Sequence, residues 1–85
     1  MNDNPTLLLA DDDPTITNSL VPFFERAGFH VLTAANGVDA LEKAQTLRPD
    51  LIVLDVLMPR MDGREVLRRL RRAGLQTPTI LLTQV

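Results

Sequence analysis

Residues 7–14 read LLLADDDP: an apolar run passes straight into three consecutive aspartates and a proline. The run does not alternate polar with apolar residues, which is the pattern of a strand covered on both faces, as in a parallel sheet. Asp13 followed by Pro14 reads as a helix cap and a first-turn proline, so the chain enters a helix directly after the acids. Adjacent carboxylates repel one another, and an acidic strand end is ordinarily just solvated. Whether these acids hold an ion depends on what else reaches the same place.

Around this stretch, TLLLA at Thr6–Ala10, LIVLD at Leu51–Asp55 and TILLT at Thr79–Thr83 share its continuous apolar character. HVLTA at His30–Ala34 alternates more and suits a sheet edge, with His30 an exposed residue without a role. Helical spacing fills the intervals. Ile16, Leu20, Phe23 or Phe24, and Ala27 recur after Pro14, Gly28 supplies a stop, and Pro22 is expected to kink the helix by removing a bond to the Asn18 carbonyl. A second helix is predicted over Val38–Leu47 with Val38, Leu41 and Ala44 inward. A third is predicted over Arg64–Ala73, burying Val66, Leu67 and Leu70 and closed by Gly74. The order β-α-β-α-β-α-β implies an α/β fold with a parallel sheet and right-handed crossovers. Such sheets place ligands at the carboxyl ends of their strands. The aspartates stand there.

Composition narrows the chemistry. The chain of 85 residues is at most one small domain, with a net charge of −2, which gives no general attraction to nucleic acid or anionic membrane. Cysteine is absent and His30 is the only histidine, so disulfides, thiolate sites and histidine-built zinc sites are excluded. MNDNPT has no export-signal pattern, and no stretch approaches the roughly 20 apolar residues of a membrane helix. A cytoplasmic location is expected. Six of the nine basic residues (Arg60, Arg64, Arg68, Arg69, Arg71 and Arg72) cluster in one segment, without aromatic residues and sharing it with Glu65. A solvated helix face is the reading adopted, with no direct contact to nucleic acid. Met58 and Met61 are read as loop packing.

Asp55 ends its strand as Asp11 and Asp12 end theirs. If the two strands are neighbours, these carboxylates converge, and a hard divalent cation such as Mg²⁺ answers the unbalanced charge. Asp13 is assigned to the helix cap instead. In DVLMPRMDG, Pro59 fixes a torsion and Asp62–Gly63 forms a turn, so that Leu57 can offer its backbone carbonyl to the pocket; Thr83 brings a hydroxyl to the same sheet end.

LLLADDDP, PDLIVLDVLMPRMDG and PTILLT together resemble the receiver domains of bacterial two-component response regulators, over nearly the whole chain. The resemblance implies a flavodoxin-like doubly wound sheet of strand order 2-1-3-4-5, in which the first and third strands are neighbours. It also implies Asp55 as phosphoacceptor, Mg²⁺ held by Asp12 directly and Asp11 chiefly through water, the Leu57 carbonyl as a further ligand, and Thr83 as the switch hydroxyl. The implied donor is a phosphohistidine on a sensor histidine kinase or phosphotransfer protein, and the implied role is a signalling phosphoacceptor rather than an enzyme. Receivers continue with a helix, a fifth strand bearing a lysine and an aromatic residue, and a last helix. This sequence ends at Val85, so an incomplete receiver is expected, either a fragment or a short variant. An alternative is a receiver-like interaction module with impaired phosphate signalling. The bare fourth-strand edge leads to an expected homodimer or swapped oligomer. A dinucleotide-binding domain would need a glycine-rich turn where the aspartates stand, and an aspartyl phosphohydrolase commonly has a second acid at the position of Leu57.

Overall fold

The computed structural model describes residues 4–83. The chain runs β1 (Thr6–Ala10), α1 (Pro14–Arg26), β2 (His30–Ala34), α2 (Gly37–Leu47), β3 (Leu51–Asp55), α3 (Gly63–Arg72) and β4 (Thr79–Leu82). All strand pairs are parallel and the sheet order is β2-β1-β3-β4. β1 is therefore central, beside β3, as the convergence of acids requires. Pairing of Leu9 with Val53 and Ala10 with Leu54 brings Asp11 and Asp55 off the sheet side by side.

Alternation along β1 and β3 divides the core between the two sheet faces. Leu8, Ala10, Ile52 and Leu54 pack with Val66, Leu70, Ala40 and Ala44 from α3 and α2. Leu7, Leu9 and Val53 face the other way, against Leu20, Val21 and Phe24 of α1. Both faces of β1 and β3 are covered, which explains why neither run alternates. At the opposite end of the sheet from the acids, Thr6 and Asp50 exchange hydrogen bonds of 2.7 and 2.8 Å that tie the start of β1 to the start of β3.

Each helix turns inward a stripe of the same spacing (i, i+3, i+4, i+7): Thr17, Leu20, Val21 and Phe24 on α1, Gly37, Ala40, Leu41 and Ala44 on α2, and Gly63, Val66, Leu67 and Leu70 on α3. This corrects the inward assignments of Ile16, Ala27 and Val38. Ile16 and Ala27 are exposed, because the inward stripe of α1 begins on the polar Thr17, which hydropathy does not reveal. Val38 is exposed too, since small Gly37 and Ala40 let α2 approach closely and take the inward positions. Pro22 lies on the exposed side of α1, and the helix continues past it to Arg26. β4 ends at Leu82, one residue before Thr83.

Part of the arginine-rich face of α3 is engaged within the chain. Arg68 and Arg69 both bond the Glu65 carboxylate, and Arg71 donates to the Leu75 and Thr77 carbonyls at 2.9 Å each. The Arg69 hydrogen bond, then the neighbouring Arg68 charge, holds the Glu65 carboxyl below its ordinary range. Met58 and Met61 pack against the α2–α3 side of the core, as expected of loop packing.

Candidate functional site

The turn from β1 into α1 is built from its own carboxylates. Asp13 caps α1 by accepting the Thr15 amide at 2.9 Å, and Asp11 accepts the Asp13 amide at 2.9 Å. Asp11 is thus buried and held facing β3, while Asp12 between them is exposed. Across the sheet Asp55 is only 6% exposed, and the Leu57 amide donates to its Oδ1 at 3.3 Å.

Carboxylate oxygens of Asp11, Asp12 and Asp55 lie within 4.8 Å of one another. They open on a cleft of about 460 Å³ lined by Asp11, Asp12, Asp13, Pro14, Asp55 and Leu57. Among the described residues no cationic side chain lines it. Burial raises the pKa of Asp55 above its ordinary 3.8, and the Asp11 charge adds to this, with a smaller contribution from Asp12; the Leu57 amide opposes the shift. The donors are all oxygen, three of them anionic, which is the chemistry of a Mg²⁺ site and not of a thiolate or imidazole metal.

Sequence reasoning brought Asp11, Asp12, Asp55 and Leu57 to one place, and the structure does the same. Thr83 is less closely engaged. It is exposed and follows Leu82, the register partner of Asp55, so it sits at the same sheet end but outside the cleft lining. Lys43, the only lysine in the sequence, donates to the Thr33 carbonyl at 2.6 Å and pairs with Asp39 at 3.2 Å; it does not line the acidic cleft, though it shares a neighbouring one with Asp11.

The loop between β3 and α3 carries more constraint than its composition suggested. The Gly63 amide bonds the Val56 carbonyl at 2.9 Å and closes the loop at its base. At its tip the Met61 amide bonds the Pro59 carbonyl at 2.8 Å around Arg60 at φ +73°, a strained γ-turn. A Cβ on Gly63 would overlap the Asp55 carbonyl oxygen and stand 3.1 Å from its carbon, so the start of α3 rests directly on the Asp55 backbone. Only the turn was legible beforehand, through Asp62–Gly63.

Comparison with known proteins agrees with this geometry. A family model described as the response regulator receiver domain matches residues 7–85. The chain is 46% identical over 80 residues to the alkaline phosphatase synthesis transcriptional regulatory protein PhoP of Bacillus subtilis, covering 94% of this chain and 33% of that protein. It is 52% identical over 79 residues to the transcriptional regulatory protein AfsQ1 of Streptomyces coelicolor, covering 93% and 35%. The chain thus spans about a third of the length of these curated relatives. Among solved structures, the Francisella response regulator 1452 receiver domain superposes with a TM-score of 0.91 at 39% identity, covering 94% of this chain and 66% of that one. Chemotaxis response regulator CheY4 of Vibrio cholerae gives 0.91 at 37% identity, covering 96% and 70%. Family match, strand order and acidic strand ends agree: this chain belongs to the receiver domains of two-component response regulators.

Proposed function

We propose that the acidic cleft holds Mg²⁺ and that Asp55 accepts a phosphoryl group from the phosphohistidine of a sensor kinase or phosphotransfer protein. The observation that carries this reading is the close approach of three carboxylates in a cleft lined, among the described residues, by no cation. Asp12 and Asp55 would hold the ion through carboxylate oxygens and Leu57 through its backbone carbonyl, with Asp11 contributing chiefly through water. A bound Mg²⁺ would supply the positive charge that lets these acids and an incoming phosphoryl group share the cleft.

The hydrogen bond on Asp55 supports its role as the nucleophile. The Leu57 amide holds Oδ1 of Asp55, which leaves Oδ2 for attack on phosphorus. A new Oδ2–P bond forms as the P–N bond to the donor histidine breaks, and that nitrogen keeps the bonding pair. No proton need leave Asp55, because the nucleophile is the carboxylate. The Thr83 hydroxyl then donates to a phosphoryl oxygen. Positioning and charge stabilisation supply the catalysis.

Titration of Mg²⁺ followed by backbone NMR is expected to move the amides of residues 11–12 and 55–57, and Asp12→Ala to abolish those movements. Incubation with acetyl phosphate is expected to add one phosphoryl group at Asp55, read by mass spectrometry. Lys43 is committed to Thr33 and Asp39, so among the described residues no lysine is placed to give a charge-assisted hydrogen bond to the phosphoryl oxygens. Such a bond is worth about 1.5–3 kcal/mol, so transfer is expected to be about 10–150-fold slower than in a receiver with a lysine at the cleft. Amide movements elsewhere, or an unmodified Asp55, would overturn the reading.

The sheet edge favours a second property. Among the described residues β4 pairs only with β3, and Ile80 on it is 50% exposed. Pairing of β4 with a second copy, or exchange of elements between copies, would satisfy this edge. Light scattering after size exclusion is expected to show a dimer of the 85-residue chain; a sharp monomer at high concentration excludes it.

A further inference from the structure

We infer that Gly37, on a different helix from the acids, is a positioning residue that sets the depth of the Asp55 loop and thereby the geometry of the cleft. The inference rests on the reading of that cleft as a Mg²⁺-binding phosphoacceptor site. Gly37 is the first residue of α2, after the cap Asn36, whose Oδ1 accepts the Asp39 amide at 2.9 Å. At this position the backbone of the loop comes against the helix itself. A Cβ on Gly37 would overlap the Met61 carbonyl oxygen and stand 2.6 Å from both the carbon and the Cβ of Met61. The Gly37 amide, one of the donors a helix start leaves unpaired, reaches the Pro59 carbonyl at 3.4 Å.

Three constraints meet in this loop. Its base is closed by the Gly63 amide on Val56, and its tip is bent by the γ-turn at Arg60. The outer side of that tip rests on α2 at Gly37. Leu57, whose amide bonds Asp55, lies between base and tip. A short loop fixed at its base cannot accept a shifted tip without turning its intervening peptides. Any side chain at position 37 therefore pushes the tip away from α2 and rotates the peptide of Leu57, which bonds Asp55 and lines the cleft with Asp11 and Asp12. Gly37 does this without lining the cleft.

The test compares Gly37→Ala with Gly74→Ala. Gly74 has φ +83° and nothing within 4 Å of where a Cβ would stand, so its substitution strains the backbone without pressing on the loop. In the metal-free state, Gly37→Ala is expected to shift the amides of residues 55–63, whereas Gly74→Ala shifts only its own surroundings. Mg²⁺ affinity is expected to fall about tenfold or more in Gly37→Ala, as when groups supporting metal ligands are removed, and to stay unchanged in Gly74→Ala. Asn36→Ala removes the α2 cap without creating a clash and is expected to weaken Mg²⁺ binding in the same direction, which decides the matter if Gly37→Ala does not fold. Unmoved loop amides in folded Gly37→Ala, or unchanged affinity in Asn36→Ala, overturn the inference. A wild-type chain that binds no Mg²⁺ refutes the functional reading instead, while the metal-free loop shifts still test the positioning.

Discussion

Asp55→Asn is expected to raise the melting temperature of the metal-free chain and, in the same protein, to abolish phosphoryl acceptance. Asparagine keeps the shape of the side chain and an oxygen for the Leu57 amide, but removes the charge that burial and Asp11 disfavour. A carboxylate whose pKa is raised by folding costs stability when ionised. That cost is absent in acid, where folded and unfolded chains are both protonated. It grows as pH rises through the ordinary value of 3.8 and is complete above the folded value. The advantage of the variant should therefore vanish at low pH and reach a plateau toward neutrality, in melts from about pH 3 to about pH 7. In a domain of this size each kcal/mol gained moves the midpoint by about 4–8 °C. With Mg²⁺ held as proposed, a saturating concentration is expected to reverse the order, since at a hundred times its dissociation constant a ligand adds about 2.7 kcal/mol to the form that binds it. A variant no more stable than the parent near neutral pH would show that the cleft tolerates its charges unaided.

The largest loss of stability is expected at Leu8→Ala. Leu8 lies on the central strand, fully buried against the α2–α3 side of the core. Truncation of such a leucine costs about 2–5 kcal/mol, depending on how far the surroundings collapse. A chain of 85 residues has about 4–13 kcal/mol in total at typical values per residue. The variant should therefore melt about 10–40 °C lower, or fail to fold at the weak end of that range. Leu47→Ala is the control. It removes an equal volume from the end of α2, where the side chain is 52% exposed, and should change stability by about 0.5 kcal/mol or less. Circular dichroism melts of both variants, compared with the parent, give the answer. Equal effects at the two sites would contradict the layered core.

Strand identity and the acidic site were legible because each rests on a local signal that burial does not disguise. Runs such as Leu7–Ala10 and Leu51–Leu54 are apolar at every position because the sheet has helices on both sides. Asp11 and Asp55 follow such runs directly, so naming the strands also placed the acids. Helix faces were less legible. On α1 the inward stripe starts at Thr17, while the more apolar Ile16 and Phe23 face solvent, so hydropathy pointed about a third of a turn away. On α2 the inward residues are small, and smallness marks close approach rather than hydrophobic content. The loop after Asp55 was least legible. Its shape depends on Gly37, which is 18 positions upstream of Asp55, and on a positive φ at an arginine that no composition rule anticipates.

The reciprocal hydrogen bonds between Thr6 and Asp50 span 44 positions of sequence. β1 therefore leaves the ribosome well before β3, and its pairing with β3 must wait until that whole interval has been synthesised. At about 5–20 residues per second this is a delay of seconds, during which Leu7, Leu8 and Leu9 have at best the edge strand β2 beside them. Closing so long an interval before any reward also makes folding slow for the chain's size. The nascent chain thus presents the apolar, strand-forming segment Leu7–Leu9 to its surroundings before its partner exists, open to a chaperone that binds such segments.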